Sequence, residues 1–339
     1  MKNALMALIV AITALLIGPL AAQAQSTVFY VPDSPGTNKT INRITFPNSV
    51  ASRVLAADTS LIAVDSGSGA PFYAAGGSVH GKLAAGLRPI ILYANVTEGL
   101  TVDAGLRSIV FIGGSSVRTL YVMGFNPKAD GRLPDPKALV SFSDSVTPRF
   151  VATLDTQYAF WSQDDGNGTS SIYRVPLKGS SKIELLHTQT DGDEGGRPIT
   201  ALAVDPVKEV LYFCQQGATS VIKALDLAKT GPTTLLTYDG QCRSIAVDGR
   251  SGWLFVAGTP NANAPGLAGF KINDPFSYYQ FELGNTVLSV AVQPARLLFD
   301  SSIKPAPPAV DVNKNDITVW LDRFIKGSSP HFFRAILQK

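Results

Sequence analysis

The chain has little of what side-chain catalysis normally draws on. It carries three histidines, His80, His187 and His331, and no two share a metal-binding spacing such as His-Glu-x-x-His, so a histidine-rich metal site is not expected. No Gly-x-Ser-x-Gly occurs, which argues against the nucleophile elbow of an α/β-hydrolase. The stretch Gly76-Gly-Ser-Val-His-Gly81-Lys82 approaches a phosphate loop. Leu83 replaces the hydroxyl residue that would hold magnesium, however, and no convincing helix follows to present its N-terminus. Charge is also sparse, at 16% of residues, and 29 basic against 26 acidic side chains leave a formal +3. The Lys and Arg residues are scattered, so the clustered footprint of a nucleic-acid binder is missing. Two cysteines, Cys214 and Cys242, are too few for a disulfide-rich scaffold and suit a single staple in an oxidising compartment.

Long apolar runs are absent after the first residues. Lys2, the apolar run from Ala4 to Ile17, the helix-breaking Gly18-Pro19 and Ala22-Gln23-Ala24 have the layout of a secretory signal peptide over residues 1–24, with cleavage expected after Ala24. The run is shorter than the roughly 20 residues needed to span a bilayer. The expectation is a secreted chain, extracellular or, in a bacterium, periplasmic, with no transmembrane segment.

What the sequence has in plenty is short strands and turns. Its 30 Gly and 22 Pro interrupt apolar stretches, and one phrase recurs at intervals of 38 to 52 residues. It reads Leu61-Ile-Ala-Val-Asp65, Gly99-Leu-Thr-Val-Asp103, Val151-Ala-Thr-Leu-Asp155, Ala201-Leu-Ala-Val-Asp205 and Ser244-Ile-Ala-Val-Asp248, with a degenerate copy at Ser289-Val-Ala-Val-Gln293. Each copy is followed by a brief turn and an aromatic strand, and that period belongs to propeller blades. The best-spelled unit contains four strands: Ala201–Asp205, Leu211–Gln215, Ser220–Leu227 and Thr234–Thr237. Alternating apolar residues mark the third as half-buried. The recurrent Asp65, Asp103, Asp155, Asp205 and Asp248 are expected to accept backbone N–H bonds from the turns they precede, as structural caps.

The two ends of the chain complement each other. Thr27–Asp33 reads as a second strand with no first strand before it, whereas Val287–Gln293 reads as a first strand lacking most of its blade. Pairing them closes an all-β, six-bladed propeller over residues 25–300 and removes exposed sheet edges. Cys214 ends a second strand and Cys242 immediately precedes the next first strand, so both belong at the same face and a bridge between neighbouring blades is plausible.

Glu98-Gly-Leu-Thr-Val-Asp103, and Leu202-Ala-Val-Asp205 followed by Leu211-Tyr212-Phe213, resemble the YWTD repeats (class B repeats) of the low-density lipoprotein receptor family. The resemblance covers roughly Ser26 to Asp300. It implies a six-bladed propeller whose first strands line a central channel. No copy spells Tyr-Trp-Thr-Asp in full, and the nearest are Ala159-Phe-Trp-Ser-Gln163 and Leu211-Tyr-Phe-Cys-Gln215. NHL repeats and gluconolactonase-like propellers share much of this grammar. The receptor propellers bind protein ligands between cysteine-rich EGF modules. This chain lacks the cysteines for such modules, so receptor function is not carried over, while protein binding is the family-typical expectation.

Candidate site residues gather where first strands begin. Arg149, Arg197 and Arg243 enter first strands there and could bind a carboxylate or glycan, or pair with nearby acids. Asp164, Asp165 and Asn167 follow a second strand onto the same face. Glu98, Asp165 and Asn285 form the set that a gluconolactonase-like hydrolase would use to hold a divalent cation, Ca²⁺ being suited to oxygen ligands; solvated loop polars are the competing reading. Asp311-Val-Asn313-Lys-Asn315-Asp316 with Asp322 imitates a calcium loop but lacks the Gly at its sixth position and the Glu at its twelfth. It reads better as the cap of an amphipathic helix carrying Ile317, Trp320, Leu321, Phe324 and Ile325 within a 301–339 tail that begins as a Pro-rich linker. A second short helix could start at Ser329-Pro330, and the tail is expected to pack on the propeller. Sequons stand at Asn38, Asn95 and Asn167. Three functions remain open: a secreted non-enzymatic protein that binds a protein or glycan without a cofactor, a metal-dependent lactonase-like hydrolase, and a structural extracellular component.

Overall fold

The computed structural model describes residues 25–294 except 34–38, 48–50, 82–89, 95, 115–116, 127–132, 166–167, 180–181, 190–197, 218, 230, 262–263 and 283. The expected signal peptide at 1–24, the 301–339 tail with its calcium-like loop, Arg197 and the sequons at Asn38, Asn95 and Asn167 lie outside the described residues.

Every element found among the described residues is a strand. In chain order these are β1 (Ser26–Pro32), β2 (Thr40–Phe46) and β3 (Ala51–Ala56), then β4 (Leu61–Val64), β5 (Pro71–Ala75), β6 (Ser78–Gly81) and β7 (Ile90–Ala94). They continue with β8 (Val96–Asp103), β9 (Ser108–Gly113), β10 (Thr119–Gly124) and β11 (Lys137–Ser141), and with β12 (Thr147–Leu154), β13 (Tyr158–Asp164), β14 (Ser170–Pro176) and β15 (Glu184–Gln189). The last nine are β16 (Ile199–Asp205), β17 (Val210–Gln215), β18 (Ser220–Asp226), β19 (Thr233–Tyr238), β20 (Gln241–Asp248), β21 (Trp253–Thr259), β22 (Leu267–Lys271), β23 (Asp274–Glu282) and β24 (Val287–Gln293). β4 to β23 form five sequential antiparallel sheets of four, and the sixth sheet has the order β24-β1-β2-β3. The chain is therefore a six-bladed β-propeller closed by its own ends, with Thr27 opposite Gln293 and Tyr30 opposite Val290. We number the blades one to six from β4.

The first strands, β4, β8, β12, β16, β20 and β24, are successive neighbours around the ring, β24 returning to β4. Serine hydroxyls help to join them: Ser244 Oγ accepts the Val290 amide at 3.2 Å and Ser289 Oγ accepts the Ile62 amide at 3.2 Å.

Burial follows from this stacking. A blade is covered on both faces, so its second strand is apolar at consecutive positions and sends alternate side chains to opposite seams. Phe111 packs against blade one with Phe72, while Val110 and Ile112 pack against blade three with Trp161. Phe160 faces blade four with Phe213. Each of the six buried apolar clusters lies in one of the six seams.

The Cys214–Cys242 disulfide joins blades four and five with a Cα–Cα distance of 6.5 Å, and both residues are fully buried in that seam's apolar cluster. It closes a loop of 28 residues. Losing both sulfurs, in the Cys214→Ser/Cys242→Ser double variant, is expected to cost about 3–4 kcal/mol. Urea unfolding of this variant beside the wild-type chain checks the figure, and unchanged stability would show that the apolar seam alone holds these blades.

Candidate functional site

The propeller has two rims of different character. At one, first strands end and turn into second strands. Asp65 there accepts the amides of Gly67 (3.1 Å) and Ser68 (3.2 Å), Asp205 those of Val207 (2.8 Å) and Lys208 (3.2 Å), and Asp248 those of Arg250 (3.1 Å) and Ser251 (3.2 Å). Asp103 reaches further. One oxygen accepts the Leu106 amide at 2.8 Å, and the other accepts the Thr156 amide of the next blade at 2.9 Å. Asp248 likewise accepts a hydrogen bond from the Ser26 hydroxyl of the next blade. The Asp205 carboxylate lies against Gly249 of the next blade's turn, and the Gln293 amide group lies against Gly69 where the ring closes.

Asp155 departs from the expected cap. Its side chain is exposed, and its shortened turn is closed by the Gln157 amide on the Leu154 carbonyl at 2.8 Å, with Thr156 in the left-handed region at φ 60°. The turn has three residues fewer than its counterparts, so the amide two residues on is used by the backbone, and the Thr156 amide goes to Asp103 of the preceding blade.

Burial raises the Asp103 carboxyl above its ordinary value, against the backbone bonds that lower it, while the charge of Asp155 adds to the rise. The sign follows from proton counting. A carboxyl whose folded pKa exceeds its unfolded one binds more protons when folded, so its contribution to stability declines as pH rises from the unfolded pKa through the folded one. The stability of the wild-type chain minus that of Asp103→Asn should accordingly decrease between about pH 4 and neutrality, as followed by urea unfolding across that range. A difference that grows with pH would contradict the assignment.

At the opposite rim first strands begin, and their pairing is irregular. Extra residues enter β8 on either side of Glu98, β12 between Pro148 and Val151, β16 between Ile199 and Ala201, and β20 between Cys242 and Ser244. β24 has the same irregularity where Val287 and Ser289 meet Pro32 and Val31. Five positions before each recurrent Asp or Gln, the residues in or beside these bulges are Glu98, Phe150, Thr200, Arg243 and Leu288. A bulge re-aims a side chain at the edge of a sheet. In β8 it is tight: Gly99 has φ 65°, and a Cβ on it would stand 2.5 Å from the Arg149 carbonyl oxygen and 2.6 Å from Val151 Cγ2.

Of the sequence-derived candidates on this rim, Arg149 and Asp164 pair with each other, while Asp165, Arg243 and Asn285 bond to other residues. Arg149 Nε donates to Asp164 Oδ2 at 2.6 Å, with the two side chains 44% and 20% exposed. Asp164 Oδ1 accepts the Ser170 hydroxyl at 2.7 Å, and Ser170 Oγ accepts the Ile199 amide of blade four at 3.2 Å. Asp165 Oδ1 accepts the Thr169 amide at 3.1 Å within its own turn. Arg243 is exposed and donates to Thr259 Oγ1 at 3.0 Å. Asn285 donates to Glu282 Oε1 at 2.9 Å. Glu98 differs, since its Oε2 is buried without a hydrogen-bond partner. Among the described residues no group of three or more His, Cys, Asp or Glu is placed to hold a metal ion.

Sequence reasoning passed over the polar end of the seam between blades three and four. Gln215 donates to Gln189, both nearly completely buried, and among the described residues Gln189 Nε2 and Gln215 Oε1, like Thr200 Oγ1 and Ser162 Oγ in the same two blades, have no partner. Aligning the copies five residues before the Asp would have added Thr200 to Glu98 and Arg243, which the sequence had already singled out, whereas no local pattern marks the two glutamines. Gln215→Leu should cost about 1–3 kcal/mol by leaving the buried Gln189 amide with only its long 3.4 Å contact to His187 Nε2, and the Gln189→Leu/Gln215→Leu double variant should recover most of it. A double-mutant cycle in urea measures this, and strictly additive losses would show that the two amides act independently.

No family model matches this chain, and no curated protein does. Solved structures share its fold. TolB from Acinetobacter baumannii superposes with a TM-score of 0.62 at 14% identity, covering 79% of this chain and 67% of that one. A chain of the nidogen/laminin complex gives 0.58 at 14% identity over 80% of this chain and 100% of its own length. A protein from Lactobacillus plantarum gives 0.54 at 11% identity over 79% and 99%. At these identities the likeness is one of fold.

Proposed function

We propose that this chain is a secreted, non-enzymatic binding protein that recognises a protein or glycan on the rim where its first strands begin. The observation that carries the reading is the recurrence of bulges there, which turn Arg149 and Arg243 towards solvent on a rigid scaffold. Arginine on a rigid rim suits carboxylates and sugar hydroxyls, because its planar fork offers several donors at once. The buried disulfide fits an oxidising compartment, and among the described residues no helix is long and apolar enough to cross a membrane. The similar propeller in the nidogen/laminin complex makes a protein partner a natural first candidate. The lactonase alternative would need Asp165 to leave the Thr169 amide and Asn285 to leave Glu282 before a divalent cation such as Ca²⁺ could be shared with Glu98.

Glycan and extracellular-protein arrays probed with the mature chain test this. Hits should weaken about tenfold or more in Arg149→Ala/Arg243→Ala, since loss of an anchoring arginine commonly costs above 1 kcal/mol. Blank arrays, or calcium-dependent lactone hydrolysis, would overturn the reading.

A further inference from the structure

The rim residue with the least satisfied chemistry is Glu98. It follows a bulge and precedes Gly99, whose left-handed backbone is pressed against the Arg149 carbonyl and Val151 of the next blade. The backbone beside Glu98 is thus held against the next blade, and among the described residues nothing donates to its buried Oε2. The nearby base Arg149 is occupied by Asp164. A desolvated carboxylate oxygen without a donor is costly, and such a cost persists where a ligand supplies the missing partner. A second bulge-slot residue, Thr200, also has a buried polar oxygen without a partner, so the unmet demand recurs on this rim.

Resting on the reading above, we infer that Glu98 receives one basic side chain of a protein partner, a lysine ammonium or arginine guanidinium, at the rim where the first strands begin. A cation with N–H donors answers both needs of the site, charge and hydrogen bond. A neutral donor supplies only the second. A calcium ion requires six to eight oxygens, and the described carboxylates do not gather around Glu98. Exposed Arg243, three blades away on the same rim, offers a second contact of opposite sign.

The test titrates the mature chain with Gly-Lys-Gly and, at matched ionic strength, Gly-norleucine-Gly, following the thermal midpoint of wild-type and Glu98→Gln protein. The lysine peptide should raise the wild-type midpoint and the norleucine peptide should not. Glu98→Gln should lose at least four-fifths of that response while melting about 1–3 °C higher than wild type, because an unpaired buried charge has been removed. Equal responses to the two peptides, or equal responses of the two proteins, would overturn the inference, as would stabilisation by micromolar CaCl₂ with none by the lysine peptide. Should Glu98→Gln fold poorly, the side-chain carboxyl ¹³C signal of Glu98 in the wild-type chain decides: it shifts with the lysine peptide alone, or the site is not cationic. Array hits that persist undiminished in Glu98→Gln would refute this site and spare the wider binding function, whereas blank arrays would refute that function and leave the peptide titration to decide Glu98.

Discussion

Two-sided burial of every blade is the constraint on which the rest of the structure depends. A single four-stranded sheet of this kind has no stable face to show to water, because strands such as Ile109–Ile112 and Leu211–Cys214 are apolar at consecutive positions. Each blade needs a neighbour on either side, and only a closed ring provides six neighbours for six blades. The hydrophobic effect thus dictates closure as well as packing. The core is accordingly divided among six seams, and aromatic residues of the second strands, Trp161, Tyr30, Tyr212, Phe72, Phe111, Phe160, Phe213 and Phe255, are its largest fully buried members. Polar linkage between the blades then fixes their register. The carboxylates at the strand-end rim do part of this, since Asp103 and Asp248 bond to the following blade as well as to their own turns.

The same arrangement separates stability from recognition. The rim where first strands end is committed to holding turns and blades: Asp65, Asp103, Asp205 and Asp248 are buried and accept turn amides, while Asp155 is exposed and Asp205 Oδ2 has no partner among the described residues. At the other rim the ladder is interrupted by bulges and arginines are exposed. Regular pairing in the interior of the sheets allows irregular pairing at one end, because the cost of a bulge is local.

Much of the architecture was legible in the sequence, for physical reasons that can be named. The Val-Asp phrase recurs because each first strand has the same two neighbours and the same turn to close. The terminal strands could be matched because a first strand without a blade and a blade without a first strand are complementary. The disulfide could be placed because Cys214 and Cys242 fall at the same end of adjacent blades. Asp155 escaped this logic, since a turn shorter by three residues is closed by its own backbone, with the Gln157 amide on the Leu154 carbonyl. The site was less visible. Bulges arise from pairing between strands, so Glu98, Thr200 and Arg243 share a slot that shows only after the repeats are aligned. The Gln189–Gln215 contact joins outer and second strands of different blades and leaves no trace in either segment.

Closure by strands from the two ends of the chain has a mechanical consequence. β1 begins at Ser26 and β24 ends at Gln293, and antiparallel pairing sets these two ends at the same edge of the sixth sheet, with Thr27 opposite Gln293. A force drawing the two ends apart meets the ladder bonds one after another, starting at Thr27, because those bonds lie across the strands and along the pull. The ring therefore opens like a zipper under tension on its ends, while loads applied within any other blade are shared across several strands.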